Sequence, residues 1–450
     1  MDGDGACHIA RPRSHSRESR SAHPSRPTGA DRGRCYPRST PVNISIQTLG
    51  CKVNFAEMAD LGDRLARAGF NVSDRDDEAD VCVINSCTVT AQADRKLRTM
   101  VHGLRRRHPQ AHLILTGCHV DNPNPRLSAV PSVDVAFPNV RKPEIFDYLS
   151  ANFAPAAQPG STTFTRSRFF LKVQDGCNHR CTYCIVWRTR GASRSDDEGQ
   201  LIERAQQAVA EGYGEIVLTG VDLGAFGRER GQPLAPFLRR LLGAIAPARL
   251  RLSSINANDF TPELVELAAS PRFCRHLHIP LQSGSDRVLK RMGRLYRRRD
   301  YLNLATALRN QSPHMALTAD VIVGFPGETE ADFADTASVA ADAGLSGMHV
   351  FRYSPRAGTA APRLGLPVDD PVSRERSRRL QAQADTQRRA YEARFVDRDL
   401  EVVWDRRLPH RVRGLSDNYI TVYAPARDQQ LGALARVRPL APTEDGLLCA

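Results

Sequence analysis

The alternation of apolar and polar residues first becomes regular in "NISIQTLGC", a short β-branched run that ends at Cys51. The segment after it places Met58, Leu61 and Leu65 at helical spacing, so a helix follows the strand. "ADVCVINSC" and "AHLILTGC" repeat the pattern: each is an apolar run that ends at a cysteine, and a basic, helix-like segment separates them. The pattern predicts a parallel α/β domain over residues 42–153.

A second series of strands and helices follows a segment rich in Pro, Gly, Ser and Thr at 154–165, which we interpret as a linker. Six apolar runs predict strands, at 168–174, 215–220, 249–255, 276–282, 316–325 and 348–354. Helical segments separate these runs. Because a complete barrel of this type needs about eight units, the pattern predicts a partial parallel (β/α)6 barrel over 166–397, whose open side admits a bulky substrate.

The two ends of the chain lack this alternation. Residues 1–41 are rich in Arg, Ser, Pro and Gly and have almost no large apolar side chains, which predicts a disordered basic extension. A nucleic-acid-binding arm and a dispensable extension are both compatible with it. Residues 374–398 are basic and helix-like, and the short strands after them predict a small all-β domain over 398–445.

Composition narrows the class of protein. The hydrophobic content of 41% is ordinary for a globular protein, and no window approaches about eighteen consecutive apolar residues, so we expect no membrane span, no secretory signal and a cytoplasmic location. In such a location eleven cysteines point to metal or redox chemistry before disulfides. The net charge of +13 favours a polyanionic partner such as nucleic acid, although a solvated basic face gives the same value.

Three cysteines end the strands of the first domain: Cys51, Cys87 and Cys118. The loops that follow parallel strands gather at one edge of the sheet, where α/β proteins bind ligands, so these thiols are predicted to converge. The alternative is three unrelated buried residues, because free cysteine is a common core residue. Cys82, in the middle of a strand, fits that alternative better.

A second set of cysteines stands in "DGCNHRCTYC", after the first predicted barrel strand. Cys177, Cys181 and Cys184 are spaced so that one loop can hold three corners of a [4Fe–4S] cluster and leave one iron open. A zinc site with His179 as the fourth ligand is the alternative, but so tight a loop would be strained. An open iron can bind S-adenosylmethionine and pass an electron to its sulfonium group.

These motifs, with "LTGVDLG", "LRLSSI", "HLHIPLQSGSDRVLKRM" and "TADVIVGFPGETE", resemble those of the radical S-adenosylmethionine (radical-SAM) methylthiotransferases. The resemblance runs from about Asn43 to the C-terminus. It implies an N-terminal α/β domain with an auxiliary cluster, a radical-SAM partial barrel and a C-terminal TRAM domain that binds RNA.

The resemblance also implies the cofactors, which are S-adenosyl-L-methionine and two [4Fe–4S] clusters. Cys51, Cys87 and Cys118 would bind the auxiliary cluster, and the "CNHRCTYC" cysteines would bind the radical-SAM cluster. As in the family, one S-adenosylmethionine gives its methyl group to a sulfur at the auxiliary cluster. A second is cleaved to a radical that activates a substrate C–H bond, which requires an electron donor such as flavodoxin or ferredoxin.

Five further residues are implied to lie near the bound S-adenosylmethionine. They are Tyr183, Gly220, Gly324, Gly327 and Glu328, the last three in the turn "GFPGE". Glycines at strand ends let the backbone approach a ligand closely. Each glycine is also compatible with an ordinary turn.

Three branches of the family act on isopentenyladenosine in tRNA, on N6-threonylcarbamoyladenosine in tRNA, and on an aspartate of a ribosomal protein. "GCKVN" resembles the second branch, which predicts addition of a methylthio group to carbon 2 of the modified adenosine at position 37, in the anticodon stem-loop. The other branches remain alternatives, as does an iron–sulfur RNA-binding protein without turnover. A single-stranded loop base can be splayed into the open barrel without breaking a duplex.

Basic residues beside the second cysteine set are the predicted RNA contacts. Arg190 and Arg194 are the candidates, because the site must hold carboxylate and phosphate groups. Three residues depart from the family pattern. Trp187 and Arg188 stand where a proline and an aromatic residue are usual, and Asn256 stands where an acidic residue is common.

Overall fold

The computed structural model describes residues 42–124, 129–162, 167–427 and 429–450. The predicted extension over 1–41 lies outside the described residues. None of the helices in the described ranges is both long enough and apolar enough to cross a membrane.

The N-terminal domain contains a parallel sheet, as predicted. Among the described residues its five strands are, in spatial order, β2 (Asn71–Ser73), β1 (Asn43–Thr48), β3 (Val81–Ser86), β4 (His112–Gly117) and β5 (Val135–Phe137). Its helices are α1 (Lys52–Arg67), α2 (Ala91–Arg107) and α3 (Glu144–Asn152). Cys82 packs in the core of this domain beside Leu97 and Leu113, so the core interpretation of this cysteine is confirmed.

The predicted linker is packed against this domain over the part that the structure describes, residues 154–162. The Val72 N–H donates to the carbonyl of Ser161 at 2.8 Å. A side chain at Gly160 would lie only 2.0 Å from the Phe70 carbonyl oxygen, so the segment approaches the chain as closely as glycine allows.

The central domain is an incomplete parallel barrel, as predicted. Its parallel strands are β6 (Phe169–Asp175), β8 (Glu215–Gly220), β9 (Arg249–Leu252), β10 (His276–His278), β11 (Ala316–Val323) and β12 (Gly347–Arg352). A parallel bridge between Ser254 and His278 connects β9 to β10. An antiparallel strand that the sequence did not indicate, β7 (Arg194–Ser195), lies on the outer edge of β6. Strand β10 is shorter than predicted, because Pro280 has no N–H for the ladder.

Helices cover the outside of the barrel. They are α4 (Val186–Thr189), α5 (Glu198–Ala210), α6 (Leu234–Ala244), α7 (Pro262–Leu267), α8 (Asp286–Met292), α9 (Arg298–Gln311), α10 (Glu330–Asp342) and α11 (Asp370–Ala393). The sequence pattern indicated α5, α7, α9, α10 and α11, whereas α4, α6 and α8 were missed. Helix α1 of the N-terminal domain also packs on β6, where the Phe55 and Phe170 rings meet edge to face with centroids 5.1 Å apart.

The C-terminal β domain is a single mixed sheet. In spatial order its six described strands are β16 (Leu434–Val437), β13 (Leu400–Leu408), β14 (Arg411–Ser416), β15 (Thr421–Pro425), β18 (Leu447–Cys449) and β17 (Pro439–Pro442). Strand β18 lies between β15 and β17, so the sheet extends past residue 445.

The β domain closes the end of the barrel at which the strands begin. Glu215 forms buried ion pairs with Arg249 and Arg251, and these guanidiniums also donate to carbonyls of the β domain, at 3.0 Å to Leu415 and 2.8 Å to Ser416. The Tyr419 ring stacks on His276 with centroids 3.9 Å apart. The opposite end, where the strands finish, is left for the cysteine loops.

Candidate active site

The cysteine loop of the barrel follows β6 directly. Gly176 has φ of 71°, and a side chain there would lie 1.9 Å from the Ala192 carbonyl oxygen, so the turn into the loop requires glycine. The Cys177 N–H then donates to the carbonyl of Gly191 at 3.1 Å. This fold-back ties the start of the loop to the segment after α4.

The sulfur atoms of this loop are approached by N–H donors. The His179 N–H lies 3.5 Å from Cys177 Sγ, the Val186 N–H lies 3.4 Å from Cys184 Sγ, and Arg294 Nη1 lies 3.6 Å from Cys181 Sγ. Donors aimed at sulfur stabilise a thiolate, which is the form that binds iron.

The three cysteines of the N-terminal domain meet at the carboxyl edge of its sheet. Cys51, Cys87 and Cys118 follow β1, β3 and β4, which are adjacent strands. A side chain at Gly50 would lie 2.9 Å from Cys87 Cβ, so the first two loops are in contact. The convergence predicted from the strand ends is therefore observed.

Both sets of thiols fit an iron–sulfur cluster. Burial raises the pKa of Cys87 and Cys177 to about 12 and that of Cys184 to about 11, and neighbouring thiols add to the rise. Iron would reverse this by compensating the thiolate charge. All nine cysteines of the described residues are free thiols.

His179 does not support the zinc alternative. Its Nε2 lies 3.1 Å from Asp222 Oδ2, and this carboxylate raises the pKa of the imidazole. Nε2 is thus engaged with Asp222 and is not left free as a fourth ligand beside the three thiols. The cysteine loop therefore supplies three ligands, as a cluster with one open iron requires.

A polar chain that the sequence analysis missed leads away from this loop. Asn256 Nδ2 donates to Asp222 Oδ1 at 3.0 Å, and Arg294 Nη2 donates to Asn256 Oδ1 at 2.6 Å. An amide can donate to the carboxylate and accept from the guanidinium, whereas an acidic residue at 256 would repel Asp222. The departure at Asn256 therefore suits its neighbours. The only sequence signal for Asp222 was its place two residues after Gly220.

The residues expected near S-adenosylmethionine fall into two groups. Tyr183 lies within the cysteine loop, and Gly220 ends β8, where a side chain would meet Gln174 Oε1 at 3.0 Å. Glu328 instead accepts from the Gly324 N–H at 2.7 Å and pairs with Arg376 of α11 at 2.8 Å.

The second glycine of the turn "GFPGE", Gly327, has φ of 71° and faces the Arg291 guanidinium. A side chain there would come within 2.7 Å of Arg291 Nη1. The described contacts thus join the turn "GFPGE" to helices α8 and α11, and Phe325 of the turn shares an apolar cluster with Tyr183 of the cysteine loop.

Arg190 and Arg194 are placed differently. Arg190 is buried between the domains, with 1% of its side chain exposed, and it donates to Asn54 at 2.5 Å, Glu57 at 2.9 Å and Asp175 at 2.9 Å. Its guanidinium is therefore turned away from an RNA phosphate. Arg194 has 55% of its side chain exposed and pairs with Asp175 at 2.8 Å.

Trp187 and Arg188 form an aromatic–cationic pair beside the loop. The Arg188 guanidinium lies 4.5 Å from the centroid of the Trp187 ring, and Arg180 approaches the same ring at 5.6 Å. Arg188 is exposed and Trp187 is half-buried. Such a pair can stack on an unpaired base.

A cavity of about 150 Å³ lies beside Cys184. Val89 and Thr90, just after Cys87, form one side of it, and Tyr183 and Cys184 form another. Barrel residues, among them Asp320, complete the lining. A molecule in this cavity touches loops from both cysteine sets.

Comparison with known proteins places this arrangement in a family. The radical SAM superfamily model matches residues 171–340, and the model described as uncharacterized protein family UPF0004 matches residues 43–138. The threonylcarbamoyladenosine tRNA methylthiotransferase MtaB of Bacillus subtilis (strain 168) is 35% identical over 422 residues, covering 88% of this chain and 93% of that protein. This chain belongs to the radical-SAM methylthiotransferase family.

A relative that is named for another substrate has about the same sequence identity to this chain as MtaB, but the match covers a smaller part of both proteins. The tRNA-2-methylthio-N(6)-dimethylallyladenosine synthase of Frankia casuarinae is 36% identical over 384 residues, covering 80% of this chain and 71% of that protein. Among solved structures, the radical S-adenosylmethionine methyltransferase TsrM from Kitasatospora setae has a TM-score of 0.50 at 13% identity, covering 70% of this chain and 74% of that chain, which shows a shared fold. Membership of the methylthiotransferase family implies [4Fe–4S] clusters and S-adenosylmethionine as cofactors.

Proposed function

We propose that this protein is a tRNA methylthiotransferase that replaces the C2 hydrogen of N6-threonylcarbamoyladenosine, at position 37 beside the anticodon, with a methylthio group. The observation that carries the proposal is the cavity lined by Val89 and Thr90, just after Cys87, and by Tyr183 and Cys184 of the cysteine loop. The reaction requires that a sulfur donor and a C–H-activating group both reach the same base. Holding both groups against that base accounts for much of the rate acceleration.

The cysteines are proposed to hold the two clusters, Cys177, Cys181 and Cys184 the radical-SAM cluster, and the strand-end cysteines Cys51, Cys87 and Cys118 the auxiliary one. When bound, the clusters and S-adenosylmethionine supply the electron, the sulfur and the methyl group. The chain itself positions these groups and excludes water.

Tyr183 and Gly220 are proposed to contact S-adenosylmethionine, because both lie at the edge where the cysteine loop begins. Gly324, Gly327 and Glu328 are proposed to act through the shape of their turn, which is fixed by the pair between Glu328 and Arg376.

The RNA is proposed to approach over the exposed side of the cysteine loop. Arg194 is placed to contact phosphate, and Trp187 with Arg188 is placed to stack on an unpaired base. The C-terminal β domain is proposed to act as a TRAM-like RNA-binding domain. We propose a cytoplasmic location without membrane association, and a small electron carrier such as flavodoxin or ferredoxin as the reductant.

Threonylcarbamoyladenosine is preferred over dimethylallyladenosine on identity at nearly full coverage, because the Cereibacter sphaeroides dimethylallyladenosine synthase is covered over 97% of its length but is only 32% identical. MtaB of Bacillus subtilis aligns over 93% of its own length, and MtaB of Thermotoga maritima aligns over 96%, with 34% identity. The Frankia casuarinae dimethylallyladenosine synthase is covered over 71%. This synthase is 36% identical to the chain, which is about the identity of the MtaB proteins. Dimethylallyladenosine is therefore the second candidate substrate.

Mass spectrometry of tRNA nucleosides from a deletion strain tests the proposal. We expect loss of 2-methylthio-N6-threonylcarbamoyladenosine and its return when the gene is restored. Loss of the dimethylallyl product instead supports the second candidate, and unchanged tRNA with an altered ribosomal protein supports the aspartate branch. In a separate assay the purified protein is incubated with S-adenosylmethionine and reductant. If it releases no 5′-deoxyadenosine, it is an RNA-binding protein without turnover.

A further inference from the structure

The inside of the partial barrel, here called the lumen, carries polar side chains that the proposed chemistry leaves unused. Along β11, Leu317, Ala319 and Val321 belong to the core between the strands and the outer helices. Because successive side chains of a strand point to opposite faces, Thr318 and Asp320 face the lumen. The lumen is therefore polar where the outer face of the same strand is apolar.

Asp320 joins two histidines of the neighbouring strands. Its Oδ1 lies 3.3 Å from His278 Nε2 and 3.5 Å from His349 Nδ1. Asp320 also lines the cavity beside Cys184, and 66% of the His349 side chain is exposed. A substituent on a base in the cavity can thus reach these groups in the lumen.

Lys52 brings a positive charge to this space from the first residue of α1. Its Nζ lies 5.8 Å from the centroid of the Tyr419 ring, which stacks on His276 at the closed end of the barrel. Lys52 therefore lies beside the stacked Tyr419 and His276 rings. Burial is the main cause of the low pKa of His276, followed by the charge of Arg251, and Lys52 adds a smaller contribution there and at His349.

Within the part of the chain that the structure describes, Lys52 has no carboxylate at ion-pair distance, that is, within 4.0 Å of its ammonium group. Burial lowers the pKa of Lys52, although Tyr419 and Glu215 act in the opposite direction. The other inward-facing cations are matched, since Arg249 and Arg251 share the Glu215 carboxylate. A partly buried cation without a counter-ion is costly unless a ligand supplies the anion.

We propose that Lys52 determines substrate specificity by receiving the carboxylate of the N6-threonylcarbamoyl group, while the adenine occupies the cavity and His349 lies beside the substituent. This inference rests on the proposed function and identifies the part of the chain that recognises the substituent. A dimethylallyl group offers only hydrocarbon at this place and would leave the ammonium unpaired. The contact that favours one nucleoside thus disfavours the other.

The test measures binding and turnover with anticodon stem-loops that differ in one group. The reconstituted holoenzyme is titrated with fluorescent stem-loops that carry threonylcarbamoyladenosine, its methyl ester or unmodified adenosine. The wild-type protein is compared with Lys52→Met, Lys52→Arg and His349→Leu. Lys96→Met, on the exposed side of α2, is the matched control. Iron content is measured for each variant, because Lys52 adjoins Cys51.

In the wild-type protein we expect the ester to bind about 10- to 100-fold more weakly than the acid, which is the effect of losing one charge-assisted hydrogen bond. Lys52→Met should weaken binding of the stem-loop with the acid by the same factor and leave binding of the stem-loop with the ester unchanged. Lys52→Arg should keep most of the discrimination, and His349→Leu, away from the cysteines, should reduce it about 2- to 10-fold. Lys96→Met should leave the ratio of acid to ester at the wild-type value.

Two results overturn the inference. The first is that the wild-type protein binds the acid and the ester equally well. The second is that Lys52→Met loses the same factor of affinity for all three RNAs while its iron content is unchanged. A wild-type enzyme that discriminates acid from ester but methylthiolates only dimethylallyladenosine refutes the proposed function instead. Binding and turnover thus separate the two failures.

Discussion

The guanidinium of Arg190 and the carboxylate of Glu57 form a buried ion pair of 2.9 Å between the two cysteine-bearing domains. Arg190 lies six residues after Cys184, and Glu57 lies six residues after Cys51. Burial alone would raise the pKa of Glu57, but Arg190, Lys142 and Lys172 outweigh it and hold that pKa well below its usual range. The pair therefore fixes the spacing of the two cysteine sets.

Removing this pair should destabilise the protein. Arg190→Met leaves Glu57 and Asp175 buried without their shared guanidinium, which costs about 3–5 kcal/mol of unfolding free energy. Urea unfolding followed by circular dichroism measures it. Arg194→Met is the matched control, because that side chain is 55% exposed and should change the unfolding free energy by less than about 1 kcal/mol. Equal effects of the two variants would contradict the bridging role of Arg190.

Each of the two cysteine sets should account for its own share of the bound iron. Two cubane clusters correspond to about eight irons per chain, and replacing Cys177, Cys181 and Cys184 by alanine should leave about four. Cys82→Ala is the control, since Cys82 is packed in the core and should leave iron unchanged. Iron and sulfide analysis after anaerobic reconstitution measures this. An unchanged iron content in the triple variant would exclude the cysteine loop as a cluster site.

The attachment of the β domain should weaken in acid. Burial alone would raise the pKa of Glu215, but Arg251 and Arg249 dominate and depress it strongly. Because the folded-state pKa lies below the unfolded value of about 4.3, this stabilisation is complete at neutral pH and is lost as the pH falls through the folded-state pKa.

Urea midpoints at pH 7 and pH 3 test this. Glu215→Gln should lower the midpoint at pH 7, with a loss of about 3–5 kcal/mol, and should lower it less at pH 3. Glu144→Gln, which removes an exposed carboxylate, should match the wild-type protein at both values. If Glu215→Gln loses as much unfolding free energy at pH 3 as at pH 7, the charge of the carboxylate is not the source of the stability.

The stacked pair beside the cysteine loop should contribute to RNA affinity. Removing an aromatic ring that stacks on a base costs about 1–3 kcal/mol, so Trp187→Ala should weaken binding of the anticodon stem-loop about 5- to 150-fold. Fluorescence anisotropy measures the affinity. The cleavage of S-adenosylmethionine without RNA should stay at the wild-type rate, and a matching fall in that rate would mean that Trp187 supports the loop rather than the RNA.

Periodicity predicted the elements that carry the cysteines, because each strand is an alternating or continuous apolar run and each cysteine follows its end. The convergence of Cys51 and Cys87 follows from parallel strands alone. Arg190 could not be placed this way, since its partners Asn54 and Glu57 lie more than a hundred residues earlier and belong to another domain. A basic residue beside a cluster motif has the same sequence signature whether it faces RNA or a buried carboxylate.

The same limit applies to the polar groups around the site. Asn256 departs from the family pattern in sequence, yet its role depends on the positions of Asp222 and Arg294, which only the folded barrel brings together.

The stacking of Tyr419 on His276 has a consequence for how the RNA must move. The β domain and the barrel share this contact and the buried arginines next to it, so they form one stiff frame with a single open end. We expect this buried attachment to resist a swing of the C-terminal domain around a nucleotide. The anticodon loop must supply the deformation, and its capacity to turn one base outward becomes part of what the enzyme selects.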